Sequence, residues 1–143
     1  MSDNTSLNYQ RLIPTALQAL GQAQASVDDL GLERRLSHLV RLRASQLNQC
    51  AYCVRLHLGE AREDAETEAR LDRLEVWRHS ADYSAAERAA LAWTEALTQL
   101  QPHSDYASLR ADLREHFDET AIGALTATVA MINLWNRIQV SRH

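Results

Sequence analysis

The sequence predicts an all-α protein of six or seven helices. Its 143 residues include only four Gly and two Pro, whereas Ala, Leu, Arg and Glu, which favour helices, are abundant. Apolar residues recur with the 3.6-residue period of a helix, and no stretch alternates with the period of a strand for long enough to predict one. Because 45% of the residues are apolar and 24% are charged, we expect residues 1–143 to form a single globular domain.

The first three helices are predicted from capping residues and from an apolar stripe. We expect residues 1–10 to form a flexible N-terminus and a first helix, opening with a proline, to span 14–26. A second helix is predicted over 32–46, where Leu and Val residues form one apolar face. Asn48 interrupts this stripe and is a good N-cap residue, so we expect a third helix to begin near Gln49.

The second half of the chain predicts four further helices. A short helix is expected over 68–77, and Ser84 and Glu87 form a capping box that opens a helix reaching about residue 100. Ser104 can cap a helix that ends at His116. Asp118 can cap a last, long helix that ends near Val140.

Charge and hydropathy argue against several classes of partner. The formal net charge of -4 gives no reason to expect nucleic acid or an anionic membrane. The longest uncharged run, 120–136, contains three Thr and two Asn, so we interpret it as a buried helix or a subunit contact rather than a membrane span. The polar start of the chain lacks the pattern of a signal peptide, and we expect a cytoplasmic location.

The segment SQLNQCAYCVRLH, residues 45–57, holds both cysteines and a histidine. If Asn48 caps the third helix, Cys50 lies in its first turn, where unpaired N–H groups and the helix dipole favour a thiolate. Cys53 follows at i+3 and His57 four residues later, so the three side chains share one helical face. The pair can form a disulfide, and His57, with a usual pKa of about 6.5, can exchange a proton beside Cys53.

Spacing alone leaves three interpretations of this segment open. Two buried cysteines with a nearby core histidine can arise by chance in a helical protein. A zinc site could use Cys50, Cys53 and His57, with His38 or His79 as the fourth ligand. The third interpretation is redox chemistry of the cysteine pair.

Three stretches of the chain resemble the AhpD-like alkylhydroperoxidases of the carboxymuconolactone decarboxylase superfamily. LVRLRASQLNQCAYCVRLH is similar to the redox segment of that family. VWRHS and SAAERAALAWTEALT are similar to its next helices, and INLWNR to its last helix. The resemblance covers about residues 32–140. It implies an all-helical subunit that assembles into homo-oligomers, often trimers or hexamers, and a cofactor-free peroxidase acting on organic hydroperoxides.

The resemblance also implies roles for particular residues. The redox cysteines of the family fall on Cys50 and Cys53, and its histidine falls on His57. The glutamate that feeds a proton relay in the family falls on His38, which puts the relay in doubt. His38 lies outside the apolar stripe of its own helix, so an exposed surface imidazole is an equally open interpretation. His79 also replaces a glutamate, and we hypothesise that both histidines approach the cysteine pair.

The predicted mechanism is a two-cysteine cycle. One thiolate attacks the O–O bond of a hydroperoxide, the other thiol condenses with the sulfenic acid to give a Cys50–Cys53 disulfide, and an external thiol reductant restores both thiols. His57 is the expected proton shuttle and His38 a further relay member. The sequence leaves open which sulfur attacks. The alternatives are a redox-sensing oligomeric module without substantial turnover and a lactone decarboxylase-like enzyme.

Overall fold

The computed structural model describes residues 5–142, and within this range the chain is helical with no strand. The predicted all-α class is confirmed. Residues 1–4 of the predicted flexible N-terminus, and residue 143, lie outside the described range. The elements are α1 (Tyr9–Leu12), α2 (Pro14–Asp28), α3 (Arg34–Leu47), α4 (Ala51–Glu63), α5 (Glu68–Asp72), a 3-10 helix (Leu74–His79), α6 (Ala85–Gln99), α7 (Tyr106–Arg114) and α8 (Glu119–Val140).

Helix α3 lies at the centre of the fold and packs against α4, α6 and α8. Two adjacent faces of α3 contribute to two apolar clusters, which explains the wide apolar stripe in its sequence. The first cluster joins α3 to α6, α7 and α8, and the second joins it to α4, α5, α6 and the 3-10 helix. Fully buried members are Val40, Leu113 and Leu125 in the first cluster, and Leu39, Leu42, Leu74 and Leu91 in the second.

Two of the four predicted N-caps, Ser84 and Asp118, are confirmed by the structure. Ser84 and Glu87 form the predicted capping box, and the Asp118 carboxylate accepts the N–H of Ala121 at the start of α8. The cap of α7 is Asp105 rather than Ser104, because the Asp105 carboxylate accepts the N–H of Ser108.

The helix predicted over 68–77 is two elements, α5 and the 3-10 helix. Leu71, Leu74 and Trp77 are all buried and follow one another at intervals of three residues. The 3-10 segment has a kink at Val76, whose φ of -116° and ψ of 27° are not helical. The three side chains pack into the second apolar cluster on both sides of the boundary between the two elements.

Helix α8 contains the long uncharged run and is partly buried, as predicted. Ile122, Leu125, Val129 and Ile132 pack toward the interior. No helix within residues 5–142 has the length and apolar character needed to cross a bilayer. The assembly into trimers or hexamers stays a prediction.

Candidate active site

The turn between α3 and α4 places the first cysteine differently from the prediction. Asn48 is the C-cap of α3 rather than the N-cap of α4, and Gln49 follows it with a left-handed φ of 56°. Cys50 itself is the N-cap of α4, and its sulfur accepts the N–H of Cys53 at 3.3 Å. Cys50 is therefore fixed at the positive end of the α4 dipole, in the position where a thiolate receives the greatest stabilisation.

A cluster of amides holds this turn against α8. The side-chain nitrogen of Asn48 donates to the side-chain oxygens of Asn133 and Asn136, at 2.9 and 3.0 Å. The Asn136 amide is fully buried and donates to the hydroxyl of Ser45. Asn133 and Asn136 therefore satisfy polar groups of the segment that positions Cys50.

Cys50 and Cys53 form a disulfide, with Cα atoms 5.2 Å apart. Both residues are buried, at 2% and 3% exposure, but each contributes to the wall of a surface cavity. Cys53 lines a cavity of about 340 Å3, the Cys53 cavity, together with His57 and Glu60. Cys50 lines a separate cavity of about 460 Å3, the Cys50 cavity, which shares no lining residue with the first. The two cysteines thus line different cavities.

One side of the Cys53 cavity is apolar. Tyr52 and Leu56 of α4 and Ile132 and Trp135 of α8 supply this part of the lining. Trp135 is partly buried, and its indole N–H donates to the side-chain oxygen of Gln24 at 2.8 Å.

The imidazole of His57 is oriented by a carboxylate on its own helix. Its Nδ1 lies 3.0 Å from Oε2 of Glu60, three residues later. Burial lowers the pKa of His57 below its usual value of about 6.5. The hydrogen bond to Glu60 and the charge of that carboxylate oppose this shift, whereas the positive charges of Arg41 and His38 add to it. His57 is therefore predominantly a neutral base at neutral pH.

His38 is buried rather than exposed, which removes the interpretation as a surface imidazole. Its Nε2 lies 2.5 Å from Oδ2 of Asp64, and this hydrogen bond lowers the pKa of Asp64 below its usual range. Its Nδ1 faces Oε2 of Glu60 at 3.8 Å and makes no hydrogen bond. His38 therefore approaches the site through Glu60.

Glu60 and Asp64 are site residues that the sequence reasoning missed. Cys53, His57, Glu60 and Asp64 follow one another at i, i+4, i+7 and i+11, which places all four on one face of a helix. This spacing is the feature of the sequence from which Glu60 and Asp64 could have been recognised.

His79 is exposed at the end of the 3-10 helix and lines neither the Cys50 nor the Cys53 cavity. Among residues 5–142, no group of three or more His, Cys, Asp or Glu side chains is arranged to hold a metal ion.

The sequence model of the Carboxymuconolactone decarboxylase family matches residues 12–96. The chain belongs to the carboxymuconolactone decarboxylase family. The match includes Cys50, Cys53, His57 and Glu60. The uncharacterized protein YdfG of Bacillus subtilis is 30% identical over 135 residues, which are 94% of this chain and 92% of that protein. The uncharacterized protein YnjA of Escherichia coli is 35% identical over 96 residues, 67% of this chain and 52% of that protein.

Solved structures place the chain among the AhpD-like members of the family. A protein of unknown function from Agrobacterium tumefaciens, described as a candidate AhpD antioxidant defence protein, is 37% identical with a TM-score of 0.92. The superposition covers 97% of this chain and 95% of that one. The debrominase Bmp8 shares the fold at 22% identity and a TM-score of 0.80, over 90% of this chain and 69% of Bmp8.

Proposed function

We propose that the protein is a cysteine-based peroxidase that reduces organic hydroperoxides through a Cys50–Cys53 dithiol/disulfide cycle. The observation that carries this proposal is the arrangement on α4. A disulfide-forming cysteine, a buried histidine and a carboxylate occupy successive turns of one face, and all three line one cavity. A nucleophile, a base and a group that orients the base are the parts that covalent catalysis requires.

We assign different roles to the two sulfurs, and the separation of the two cavities supports this assignment. Cys53 shares its cavity with His57, so a hydroperoxide bound there meets the activated thiol and the proton donor together. Cys50 lies on the other side, where the N–H of Cys53 and the helix dipole stabilise it as a thiolate. Cys53 is therefore the attacking residue and Cys50 the resolving one.

The two cysteines, His57 and the hydroperoxide supply all the atoms, electrons and protons needed to reach the disulfide. Neutral His57 takes the proton of the Cys53 thiol, and the thiolate attacks the terminal oxygen of the hydroperoxide. The O–O bond breaks, Cys53 becomes a sulfenic acid, and the leaving alkoxide takes the proton from His57 to give the alcohol. The Cys50 sulfur then attacks the Cys53 sulfur and the S–O bond of the sulfenic acid breaks. The hydroxyl group leaves as water with the proton of the Cys50 thiol. An external dithiol returns two electrons and two protons by disulfide exchange.

Glu60 contributes to this cycle by holding His57. A carboxylate that accepts from Nδ1 fixes the ring so that Nε2 is left as the basic atom, and it stabilises the imidazolium that forms when the thiol ionises. The burial of His57 has the opposite effect on its pKa and keeps the imidazole available as a base.

The apolar wall formed by Tyr52, Leu56, Ile132 and Trp135 supports an organic rather than an inorganic substrate. A cavity of about 340 Å3 is much larger than hydrogen peroxide requires. An alkyl or aryl hydroperoxide can place its apolar body against this wall and its peroxide group at Cys53.

Catalytic turnover with a chemically defined dithiol tests the proposal. The reduced protein is mixed with cumene hydroperoxide and excess dithiothreitol, and the alcohol is counted against the uncatalysed reaction. We expect many alcohol molecules per protein molecule, and none above background for Cys53→Ser. Oxidation of the cysteines without sustained turnover would contradict the proposal and favour the redox-sensing module instead.

A further inference from the structure

A buried polar atom without a partner lies next to the proposed active site. His38 is 7% exposed, and its Nδ1 has no hydrogen bond. Leaving such a group unsatisfied inside a protein costs free energy, so its surroundings call for an explanation. The atom that it faces is Oε2 of Glu60, at 3.8 Å. That same oxygen lies 3.0 Å from Nδ1 of His57.

Asp64 prevents His38 from turning away. Its Oδ2 lies 2.5 Å from Nε2 of His38, on the opposite side of the ring from Glu60. Rotation of the ring to give Nδ1 another partner would break this charged hydrogen bond. The hydrogen bond to Asp64 therefore holds His38 so that Nδ1 points at Glu60.

Glu60 is free enough to respond to this second imidazole. Its side chain is 37% exposed, and a movement of about 1 Å would bring Oε2 within hydrogen-bonding distance of Nδ1 of His38. A protonated Nδ1 attracts the oxygen, whereas an unprotonated Nδ1 presents a lone pair and repels it. Glu60 therefore stands between two imidazoles that compete for one oxygen.

We propose that His38 is a positioning residue, anchored by Asp64, that sets how firmly Glu60 holds His57. This inference deepens the proposed function, since the role of His57 as the base rests on that function. His38 touches neither the cysteines nor the substrate in this scheme. Its main action on His57 runs through the shared carboxylate, beside the weaker direct charge effect of one imidazole on the other.

Other charges around this cluster belong to three helices. They are Asp28 on α2, Arg34 and Arg41 on α3, and Glu63 on α4. Arg41 is paired with Asp28 at 2.7 Å, and Arg34 lies 3.1 Å from Asp64. Helix α8 contributes only uncharged side chains to the two cavities that Glu60 lines, among the residues that the structure describes. Glu60 is thus the charged group that links His38 to His57 directly.

A double-mutant cycle read by NMR tests the coupling without any peroxide. The pKa of His57 is measured from its ring resonances in the oxidised protein, with the disulfide intact. The proteins are wild type, His38→Gln, Glu60→Gln and the double variant. Glutamine at position 38 can keep a hydrogen bond to Asp64 but does not titrate. His38→Asn is a second replacement, should glutamine impair folding, and His79→Gln is the matched exposed control.

We expect His38→Gln to leave Glu60 entirely to His57 and to raise the His57 pKa by about half a unit, a roughly threefold change in proton affinity. In the Glu60→Gln background the same substitution should produce a clearly smaller shift, which comes from the direct charge effect of His38 alone, and His79→Gln should produce none in any background. A shift of equal size with and without Glu60 would overturn the proposal, because it would show a direct charge effect. No shift in either background would also overturn it. The titration needs no catalytic turnover, so the coupling between His38 and His57 can be disproved while the peroxidase proposal stands. The peroxidase proposal can likewise be disproved while the coupling is observed.

Discussion

Nδ1 of His57 and Oε2 of Glu60 lie 3.0 Å apart, one turn from each other on the face of α4 that also carries Cys53. The hydrogen bond connects two groups whose effects on the site are opposed. Burial favours the neutral imidazole, and the carboxylate favours the imidazolium. A base that must gain and lose a proton in each cycle benefits from this balance.

Glu60→Gln should lower the rate of peroxide reduction. The amide keeps the shape of the side chain but removes the charge that stabilises the imidazolium, so we expect kcat/KM to fall by about tenfold or more. The measurement is single-turnover oxidation of the reduced protein. Glu115→Gln, an identical change at an exposed glutamate that lines neither cavity containing Glu60, is the control and should retain the wild-type rate. Equal rates for both variants would remove Glu60 from the mechanism.

The pH dependence of the reaction should follow His57. Because the pKa of His57 is lowered from its usual value of 6.5, most of the imidazole is still neutral at pH 6.5. The pH at which kcat/KM falls to half on the acid side should therefore lie below 6.5. As the pH falls through the pKa, His57 becomes protonated and can no longer accept the thiol proton, so the rate declines. In Glu60→Gln the acid limb should move to still lower pH. An acid limb centred above pH 6.5 in the wild type would contradict this assignment.

Single-cysteine variants distinguish the two sulfurs. Cys50→Ser keeps the attacking thiol beside His57, so one equivalent of alcohol should form in a burst and Cys53 should stop at the sulfenic acid. Cys53→Ser should give no burst. The alcohol is quantified to measure the burst, and the sulfenic acid is trapped with dimedone and detected by mass spectrometry. A burst in Cys53→Ser and none in Cys50→Ser would reverse the roles.

Leu56→Asn should change substrate preference. The substitution places an amide on the apolar wall of the Cys53 cavity, so kcat/KM for cumene hydroperoxide should fall by about tenfold while that for hydrogen peroxide changes little. Leu30→Asn makes the same change at a half-exposed leucine that does not line this cavity and should leave the ratio of the two values intact. An unchanged ratio for Leu56→Asn would show that the wall does not contact the substrate.

Gln49→Gly should stabilise the protein. Gln49 has a φ of 56°, which costs about 1–2 kcal/mol for a residue with a side chain. Glycine removes this cost but loses about 0.4–1 kcal/mol through the greater freedom of the unfolded chain. We expect a net gain of about 0.5 kcal/mol in the free energy of unfolding, measured in urea. Gln18→Gly, in the interior of α2, should lose about 1 kcal/mol instead.

Local sequence signals predicted most of the fold, and the deviations have physical causes. The capping box at Ser84 and the cap at Asp118 are local hydrogen-bond patterns, so they could be recognised without the tertiary structure. The change to a 3-10 helix before Trp77 occurs where the side chains pack against other helices. The role of Asn48 was predicted wrongly, because its amide is engaged by α8 rather than by the start of α4.

The candidate site divides in the same way. Cys50, Cys53 and His57 were recognisable from spacing and from the resemblance, and their proximity follows from one helix. The burial of His38 depends on contacts between α3 and α4, which the periodicity of α3 alone does not reveal. The positions of Glu60 and Asp64 agree with helical spacing, but many exposed glutamates share that spacing with a histidine. Only the three-dimensional contacts distinguish these two.

Direct stoichiometry tests the central claim, that the cysteine pair reduces a hydroperoxide. The reduced protein receives one equivalent of cumene hydroperoxide, and the alcohol and the intact and peptide masses are measured together. The account predicts one alcohol per protein and a loss of two hydrogens located in a Cys50–Cys53 bridge. Thiols that remain reduced and alkylatable, with no alcohol formed, would contradict it.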